Sequence, residues 1–238
     1  MFIGHLALGF AAKRATPRVS LAVLLTASQL ADMLWPFFLA LGFEQVRIAP
    51  GITAFTPLDF VSYPYSHSLV MLAVWGVVFG AIYRAVTGRT GPPPLRFGEA
   101  RRSLGEGGRV FVVLAALVVS HWVLDWITHR PDMPIYPGGT KYGLGLWNSV
   151  PATMIVEGIM FAAGLWIYVQ TTRARDRIGR WGFAALIALL VVVYAANATA
   201  SPPPSVNAII IGATIGAALM TVWSWWADAH RDAILTPT

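Results

Sequence analysis

The strongest chemical signal in the sequence is a run of ionisable residues inside an apolar segment. His121, Asp125 and His129 follow one another at intervals of four residues. Positions four apart on an α-helix lie on one face, so we expect the three side chains to point in one direction. The segment begins at Val110 and is long enough to cross a bilayer, where an ionisable group is costly to keep. The run therefore predicts a metal site or a proton site.

Four further ionisable residues lie in or at the ends of apolar segments, whereas His230 lies in a polar C-terminal tail. A helix rises about 1.5 Å per residue, which puts the carboxylates and the first histidine of the run at similar heights in the outer half of the membrane. The same count places His67 and His129 at the outer mouth, and it lets His5 approach the same level from the cytoplasmic side. We therefore expect one cavity to collect His5, Asp32, His67, His121, Asp125, His129 and Glu157.

Each of these residues, taken alone, also has a simpler explanation. Asp32 could bond to Ser28 or Gln29 within its own helix, and Glu157 could join two packed helices. His67 and His129 could be interfacial residues. His121 and Asp125, one turn apart, could simply bond to each other. The occurrence of all of them at one level is what favours a shared site.

The triplet Ser66-His67-Ser68 raises the question of a serine nucleophile with a histidine base. Adjacent residues point in different directions on a helix, so we expect poor geometry for the hydrogen bond that a nucleophile needs. One serine is expected to cap the start of a helix while His67 faces the cavity.

Composition indicates an integral membrane protein, because 56% of the 238 residues are hydrophobic and 12% are charged. The fold class is all-α, with 1–238 forming a single transmembrane domain. A short apolar segment from Phe2 to Ala12 covers about half a bilayer and predicts a half-helix. We expect this segment to be retained, since it matches a cleaved signal peptide poorly. Six spans are predicted, at 19–41, 66–84, 110–128, 149–170, 181–199 and 206–227.

The basic residues predict the orientation. Thirteen of the 17 Lys and Arg fall in the connections at 13–18, 84–109 and 171–180, and three fall in the connections that alternate with them. The positive-inside rule therefore puts the first set, with the C-terminus, in the cytoplasm. The net charge of +6 is explained by this topology and by anionic lipid, and no motif indicates nucleic-acid binding.

Imidazole and carboxylate groups together suit Zn, and with more oxygen ligands they suit Mn, Fe or Mg. The chain has no cysteine, so a thiolate site is excluded. His121 and Asp125 are the safer ligands, because the face of the helix drifts by about 40° over the eight residues to His129.

At these residues the chain resembles the YdjM-like group of membrane-bound metal-dependent hydrolases, named after a LexA-regulated bacterial inner-membrane protein. The resemblance covers roughly residues 2–160. It rests on Gly4-His5-Leu6-Ala7, Leu30-Ala31-Asp32, the Ser66-His67-Ser68 block and the His121-x-x-x-Asp125-x-x-Thr128-His129 pattern. It implies a helical bundle in a bacterial inner membrane. The metal-site residues that it implies are His5, Asp32, His67, His121 and Asp125.

The chain also departs from this group. Asp32 stands alone where many members carry a run of acidic residues such as P-D-x-D, and Tyr65-Ser66-His67-Ser68 replaces a block like H-R-x-x-T-H-S. Fewer ligands are then present to hold two metals, which favours a mononuclear or degenerate site.

We predict a membrane-embedded, metal-dependent hydrolase whose site opens to the non-cytoplasmic side, with Zn as the expected ion and Mn, Fe or Mg as alternatives. Such an ion acidifies water to a pKa of about 7 and so supplies a nucleophile, with Glu157 or His129 as general base. The expected substrate is lipid-linked or amphiphilic, and a phosphoester fits best because a dication neutralises its charge. The alternatives are a proton- or ion-coupled transporter that uses the same cluster, and a scaffold with a structural metal. The oligomeric state is not predicted.

Overall fold

The structure is a computed structural model that describes the backbone of residues 1–88 and 97–234, and the side chains of 1–88 and 105–234. Part of the basic connection predicted at 84–109 therefore lies outside the described residues. Nine α-helices are present in the described part of the chain: α1 (Ile3–Ala12), α2 (Leu21–Ser28), α3 (Leu30–Ala40), α4 (Pro64–His67), α5 (Leu69–Gly88), α6 (Phe97–Thr128), α7 (Val150–Thr171), α8 (Phe183–Thr199) and α9 (Val206–Ala229).

Five helical segments are long and apolar enough to span a membrane. They are α5, the part of α6 from Gly105 to Thr128, α7, α8 together with the π-helical turn Ile178–Gly182, and α9. Their apolar side chains are widely exposed, as expected of surfaces that meet lipid rather than water. The predicted polytopic all-α fold is confirmed, and the predicted half-helix is α1.

The first predicted span, 19–41, is not one continuous helix. It consists of α2 and α3, which meet at an angle of 60°. Gln29 interrupts the helix with φ −109° and ψ 11°, and the hydroxyl of Ser28 donates to the carbonyl of Leu25. A serine hydroxyl that bonds to the preceding turn competes with the regular helical ladder. The break also turns the carbonyl of Ser28 toward α6, which matters for the site described below.

The half-helix α1 lies in the middle of the bundle, where it packs against α7 over most of its length. Gly164 makes this approach possible, because a Cβ atom at this position would lie 2.7 Å from the Cα of Ala7. Phe10 then packs among the rings of Phe161, Tyr168 and Phe183. The close contact places His5, in the same helix, inside the bundle.

Small antiparallel ribbons, which the sequence analysis did not predict, connect the helices. At the end of the bundle that is predicted to face outward, β1 (Gln45–Ile48) pairs with β2 (Leu58–Ser62), and β3 (Met133–Pro134) pairs with β4 (Lys141–Tyr142). At the other end of the bundle, β5 (Thr172–Ala174) pairs with β6 (Arg231–Ala233). The outer ribbons carry Phe60 and lie next to the site.

Candidate metal centre

Four helices bring their ionisable side chains to one point inside the bundle. Most of these side chains are buried, and all of them were predicted to share one cavity. They are His5 from α1, Asp32 from α3, His67 from α4, and His121 and Asp125 from α6, with His129 directly after the end of α6.

Asp125 is the centre of the cluster. Its Oδ2 atom faces three imidazole Nε2 atoms, at 3.1 Å from His121, 3.8 Å from His129 and 3.9 Å from His67. Its Oδ1 atom points away from these rings and bonds to Nε2 of His5 at 2.9 Å and to the amino group of Met1. The two oxygens of one carboxylate therefore face different partners.

Asp32 supplies the second carboxylate of the cluster. Its Oδ1 atom lies 3.4 Å from Nε2 of His67 and 3.8 Å from Nε2 of His121. The Asp32 side chain is 41% exposed, whereas that of Asp125 is 3% exposed. Asp32 is therefore the member of the cluster that a molecule outside the protein reaches most directly.

The partners of Nδ1 fix the protonation of two of the facing imidazoles. Nδ1 of His121 lies 3.0 Å from the carbonyl oxygen of Ser28, and Nδ1 of His129 lies 2.9 Å from Oδ1 of Asp132. A carbonyl and a carboxylate only accept hydrogen bonds, so each Nδ1 donates. In the neutral imidazole the other nitrogen, Nε2, is then a bare acceptor.

The third ring, His67, has Nδ1 at 2.6 Å from the hydroxyl of Ser66. Its Nε2 atom also faces carboxylate oxygens. When these imidazoles are neutral with the proton on Nδ1, nitrogen lone pairs therefore face carboxylate lone pairs. Nε2 of His121 has no hydrogen-bond partner among the described residues. Acceptors that face acceptors in a buried site need a cation or protons between them.

The donor set fits a single metal ion. Zinc binds nitrogen and oxygen ligands at about 2.0–2.1 Å, so the ligand atoms of a tetrahedral site are about 3.3–3.4 Å apart. The four N···O distances between two histidines, His67 and His121, and the two aspartates are 3.1, 3.4, 3.8 and 3.9 Å. Two imidazoles and two carboxylates also match the preference of Zn, Mn and Fe for mixed nitrogen and oxygen ligands.

His5 occupies a different place from the other histidines. Its ring stacks on that of His121 with centroids 3.7 Å apart, and its Nδ1 atom has no partner among the described residues. One nitrogen of His5 lies within 4.8 Å of ligand atoms of His121 and Asp125, so these three residues form a second possible ligand group. The contact of His5 with Oδ1 is also suited to orienting the Asp125 carboxylate.

Glu157 lies beside the cluster and at the start of α1. Its Oε2 atom accepts hydrogen bonds from the backbone N–H groups of Phe2 and Gly4, at 2.8 and 3.1 Å. The carboxylate therefore satisfies the first turn of the half-helix that carries His5. Oε1 has no hydrogen-bond partner among the described residues.

The expected geometry of Ser66 and His67 is wrong. The sequence predicts one continuous helix that contains both residues, but α4 is a single turn that ends at His67, and Ser68 is extended before α5 begins. In this turn the Ser66 hydroxyl reaches His67. It also donates to Glu44 and is fully buried, which makes it a poor nucleophile. Ser68 caps α5 as expected, since its hydroxyl accepts from the N–H of Met71.

Sequence reasoning missed three polar residues that support the histidines, namely Glu44, Tyr63 and Asp132. The Tyr63 hydroxyl donates to Asp132 at 2.7 Å, next to His129. Burial, together with the Asp132 carboxylate, raises the pKa of Tyr63 well above its usual value, so the hydroxyl keeps its proton. The three-residue spacing from His129 to Asp132 was a usable signal, but Glu44 is too far from His67 in sequence to be linked by any local pattern.

Aromatic rings cover the outer side of the cluster. The rings of Trp147 and Phe60 lie 4.1 and 4.8 Å from that of His129, between centroids, and Tyr63 lies 5.0 Å from His67. Trp147 lies in the short helical turn Leu146–Asn148, between β4 and α7. This cover separates the histidines from the outer surface, so Asp32 offers the more open approach.

Apolar helices around a buried cluster of histidines and carboxylates define the class, a multi-pass membrane protein with a polar site inside its bundle. The chain belongs to the YdjM inner membrane protein family, whose family model matches residues 1–201. The matched region contains every residue of the cluster. Neither a curated protein nor a solved structure matches the chain. The expected resemblance and the multi-pass inner-membrane location are thereby supported at the level of the family.

Proposed function

We propose that the protein is a membrane-embedded hydrolase that depends on a divalent metal ion. The observation that carries this proposal is the convergence of imidazole Nε2 acceptors on Asp125 and Asp32. His67, His121 and the two aspartates would hold the ion, and His5 would orient Asp125 through Oδ1. Zn is the best match to this donor set, with Mn, Fe and Mg as alternatives.

A dication held by these residues would supply Lewis acidity, which would acidify bound water and neutralise negative charge on a substrate. His129 is the better placed of the two predicted general bases. Its Nδ1 donates to Asp132, and its Nε2 lies at the edge of the cluster, 3.8 Å from Asp125. A carboxylate that holds an imidazole in one tautomer is the arrangement that general bases use. Glu157, by contrast, has one oxygen engaged with the backbone of α1.

An amphiphilic substrate suits the position of the site. The cluster lies among helices whose outer surfaces are apolar, and Asp32, its exposed member, lies in the bent span. The distribution of basic residues supports access from the non-cytoplasmic side. Among hydrolysable bonds, a phosphoester fits best, because a dication would neutralise its negative charge.

Phosphate release by the purified protein tests this proposal. Phosphatidic acid in mixed micelles and p-nitrophenyl phosphate would serve as probes, with metal-stripped protein and protein reloaded with Zn or Mn compared side by side. We expect release by the reloaded protein and by the His230→Ala control, and none from Asp125→Asn. A protein that holds one ion per chain and releases phosphate from neither probe would contradict the phosphoester assignment.

A transporter is the second candidate, and one observation favours it. The span formed by α2 and α3 is broken close to Asp32, and discontinuous helices of this kind line the ion sites of secondary transporters. In this alternative the histidines of the cluster would carry protons. Proton uptake into proteoliposomes, followed with a pH-sensitive dye and abolished by Asp125→Asn in metal-free buffer, would favour transport over hydrolysis.

A further inference from the structure

Glu44 is buried in the outer connection between α3 and β1, with 2% of its surface exposed. Its Oε1 atom accepts from the backbone N–H groups of Tyr65 and Ser66, each at 2.8 Å, and its Oε2 atom accepts from the Ser66 hydroxyl at 2.7 Å. Three donors on two oxygens are the pattern of an ionised carboxylate. No basic side chain lies within ion-pair distance of Glu44 in the described part of the chain, so its charge is met by the turn that carries His67.

The direction of these hydrogen bonds follows from the chemistry of the groups. A carboxylate only accepts, so the Ser66 hydroxyl must give its single hydrogen to Glu44. The hydroxyl then has only lone pairs to offer to Nδ1 of His67, which lies 2.6 Å away. Nδ1 must therefore carry a proton, and in the neutral imidazole Nε2 is then the bare nitrogen, which faces Asp32 and Asp125.

We propose that Glu44 is a positioning residue that fixes the tautomer of His67 through Ser66. It holds the ring with Nε2 ready to bind a cation, as carboxylates behind metal-ligating histidines do. That Nε2 then binds metal rests on the proposed function. The tautomer itself does not, because it follows from hydrogen bonds alone.

A purely structural role for Glu44 makes a different prediction. Oε1 accepts two N–H groups of α4, so Glu44 also acts as a cap for this turn. Glu44→Gln separates the two roles, because the amide oxygen can still accept both N–H groups. The amide nitrogen, however, would donate to the Ser66 hydroxyl, which would then donate to Nδ1 of His67 and move the imidazole proton to Nε2.

The test uses the full chain in detergent with ¹⁵N-labelled histidine, and the five histidines of the sequence keep the spectrum simple. The His67 signals are assigned by their loss in His67→Gln. In metal-stripped wild-type protein we expect His67 with its proton on Nδ1, and in Glu44→Gln with its proton on Nε2. Zinc affinity, measured by competition with a chelator, should fall about 10–100-fold in Glu44→Gln. Asp59→Asn, the same chemical change in the neighbouring ribbon, is the control and should alter neither quantity.

Several outcomes are decisive. A wild-type His67 with its proton on Nε2, or a Glu44→Gln protein with unchanged tautomer and affinity, would overturn the proposal. If both tautomers are as expected and neither protein binds zinc, the positioning role stands and the proposed function fails. If Glu44→Gln does not fold, Ser66→Ala replaces it, since this change keeps both N–H bonds to Glu44 and removes the link. An unchanged His67 tautomer and zinc affinity in Ser66→Ala would likewise overturn the proposal.

Discussion

Two buried polar networks lie at opposite ends of the bundle, and their hydrogen bonding differs. At the end near the predicted cytoplasmic side, Lys13 donates to Asp228 at 2.7 Å, and Tyr168 and the N–H of Leu21 donate to the same carboxylate at 2.7 and 2.8 Å. Lys13 also donates to the carbonyl of Val19. Every charge in this network meets an opposite charge or a suitable dipole.

The outer network pairs its groups differently. The Nε2 atoms of His67, His121 and His129 face the carboxylates of Asp32 and Asp125, and Nε2 of His121 has no hydrogen-bond partner among the described residues. Buried polar groups are normally satisfied, and exceptions concentrate where a protein binds or reacts. Burial of charge alone therefore does not indicate a functional site. Burial with unmatched acceptors does, which supports a structural role for the first network and the proposed functional role for the second.

The first prediction concerns which end of the helical bundle faces the cytoplasm. The basic residues predict that the Lys13 network lies on the cytoplasmic side and the histidine cluster toward the outside. Single cysteines placed at 171–180 should therefore resist impermeant thiol reagents in intact cells, whereas cysteines at 133–140 should react fully. The chain has no cysteine of its own, so no background labelling is expected. The reverse labelling pattern would show that the histidine cluster lies toward the cytoplasmic side and would contradict the predicted orientation.

Breaking the Lys13 network should reduce stability without affecting the metal. Lys13→Met leaves the Asp228 carboxylate buried without its counter-charge, and breaking such a pair costs about 3–5 kcal/mol of the free energy of unfolding. Thermal unfolding in detergent measures this loss. The double change Lys13→Met with Asp228→Leu should recover much of it, because neither charge then remains. A Lys13→Met protein of normal stability that has lost its metal would reverse the roles of the two networks.

A third, exposed pair should have the smallest effect. Asp176 accepts from the N–H of Gly179 and from Nδ1 of His230, and these two hydrogen bonds lower the pKa of Asp176 below its ordinary value of 3.8. The folded form then gains stability above the unfolded pKa and loses it as pH falls through the lower folded pKa. Because Asp176 is exposed, the contribution is small.

Asp176→Asn tests this directly. The variant should lower the melting temperature slightly near pH 7, and its deficit relative to the wild-type protein should shrink as the pH falls below about 4. A deficit that grows with acidity would contradict the direction of the pKa shift.

Most of the fold could be predicted from the sequence, because long apolar segments in a bilayer must satisfy their backbone within helices. The break between α2 and α3 was not predicted, although a hydrogen bond of Ser28 to the preceding turn and a distant contact of Gln29 accompany it. The side-chain amide of Gln29 donates to the carbonyl of Phe2, in a segment far away in the chain. The ribbons were missed because strands of two to five residues carry almost no periodic signal.

The candidate site could likewise be predicted only in part from the sequence. His121 and Asp125 were identifiable from their spacing on one helix, and helical rise gave the approximate level of Asp32 and His5. Asp132 could have been found from its three-residue spacing to His129, but Glu44 could not, because it reaches His67 through the local shape of one turn. Packing at that turn, rather than a sequence pattern, decides which nitrogen carries the proton.

The most direct test of the central claim is the metal content of the purified protein, measured by elemental analysis beside matched variants. We predict one zinc or similar ion per chain in the wild-type protein and in His230→Ala, whose histidine pairs with Asp176 far from the cluster. Asp125→Asn and His121→Ala should carry none, because the first removes the central negative charge at nearly constant size and the second removes a facing imidazole. A folded Asp125→Asn protein with stoichiometric metal would contradict the account.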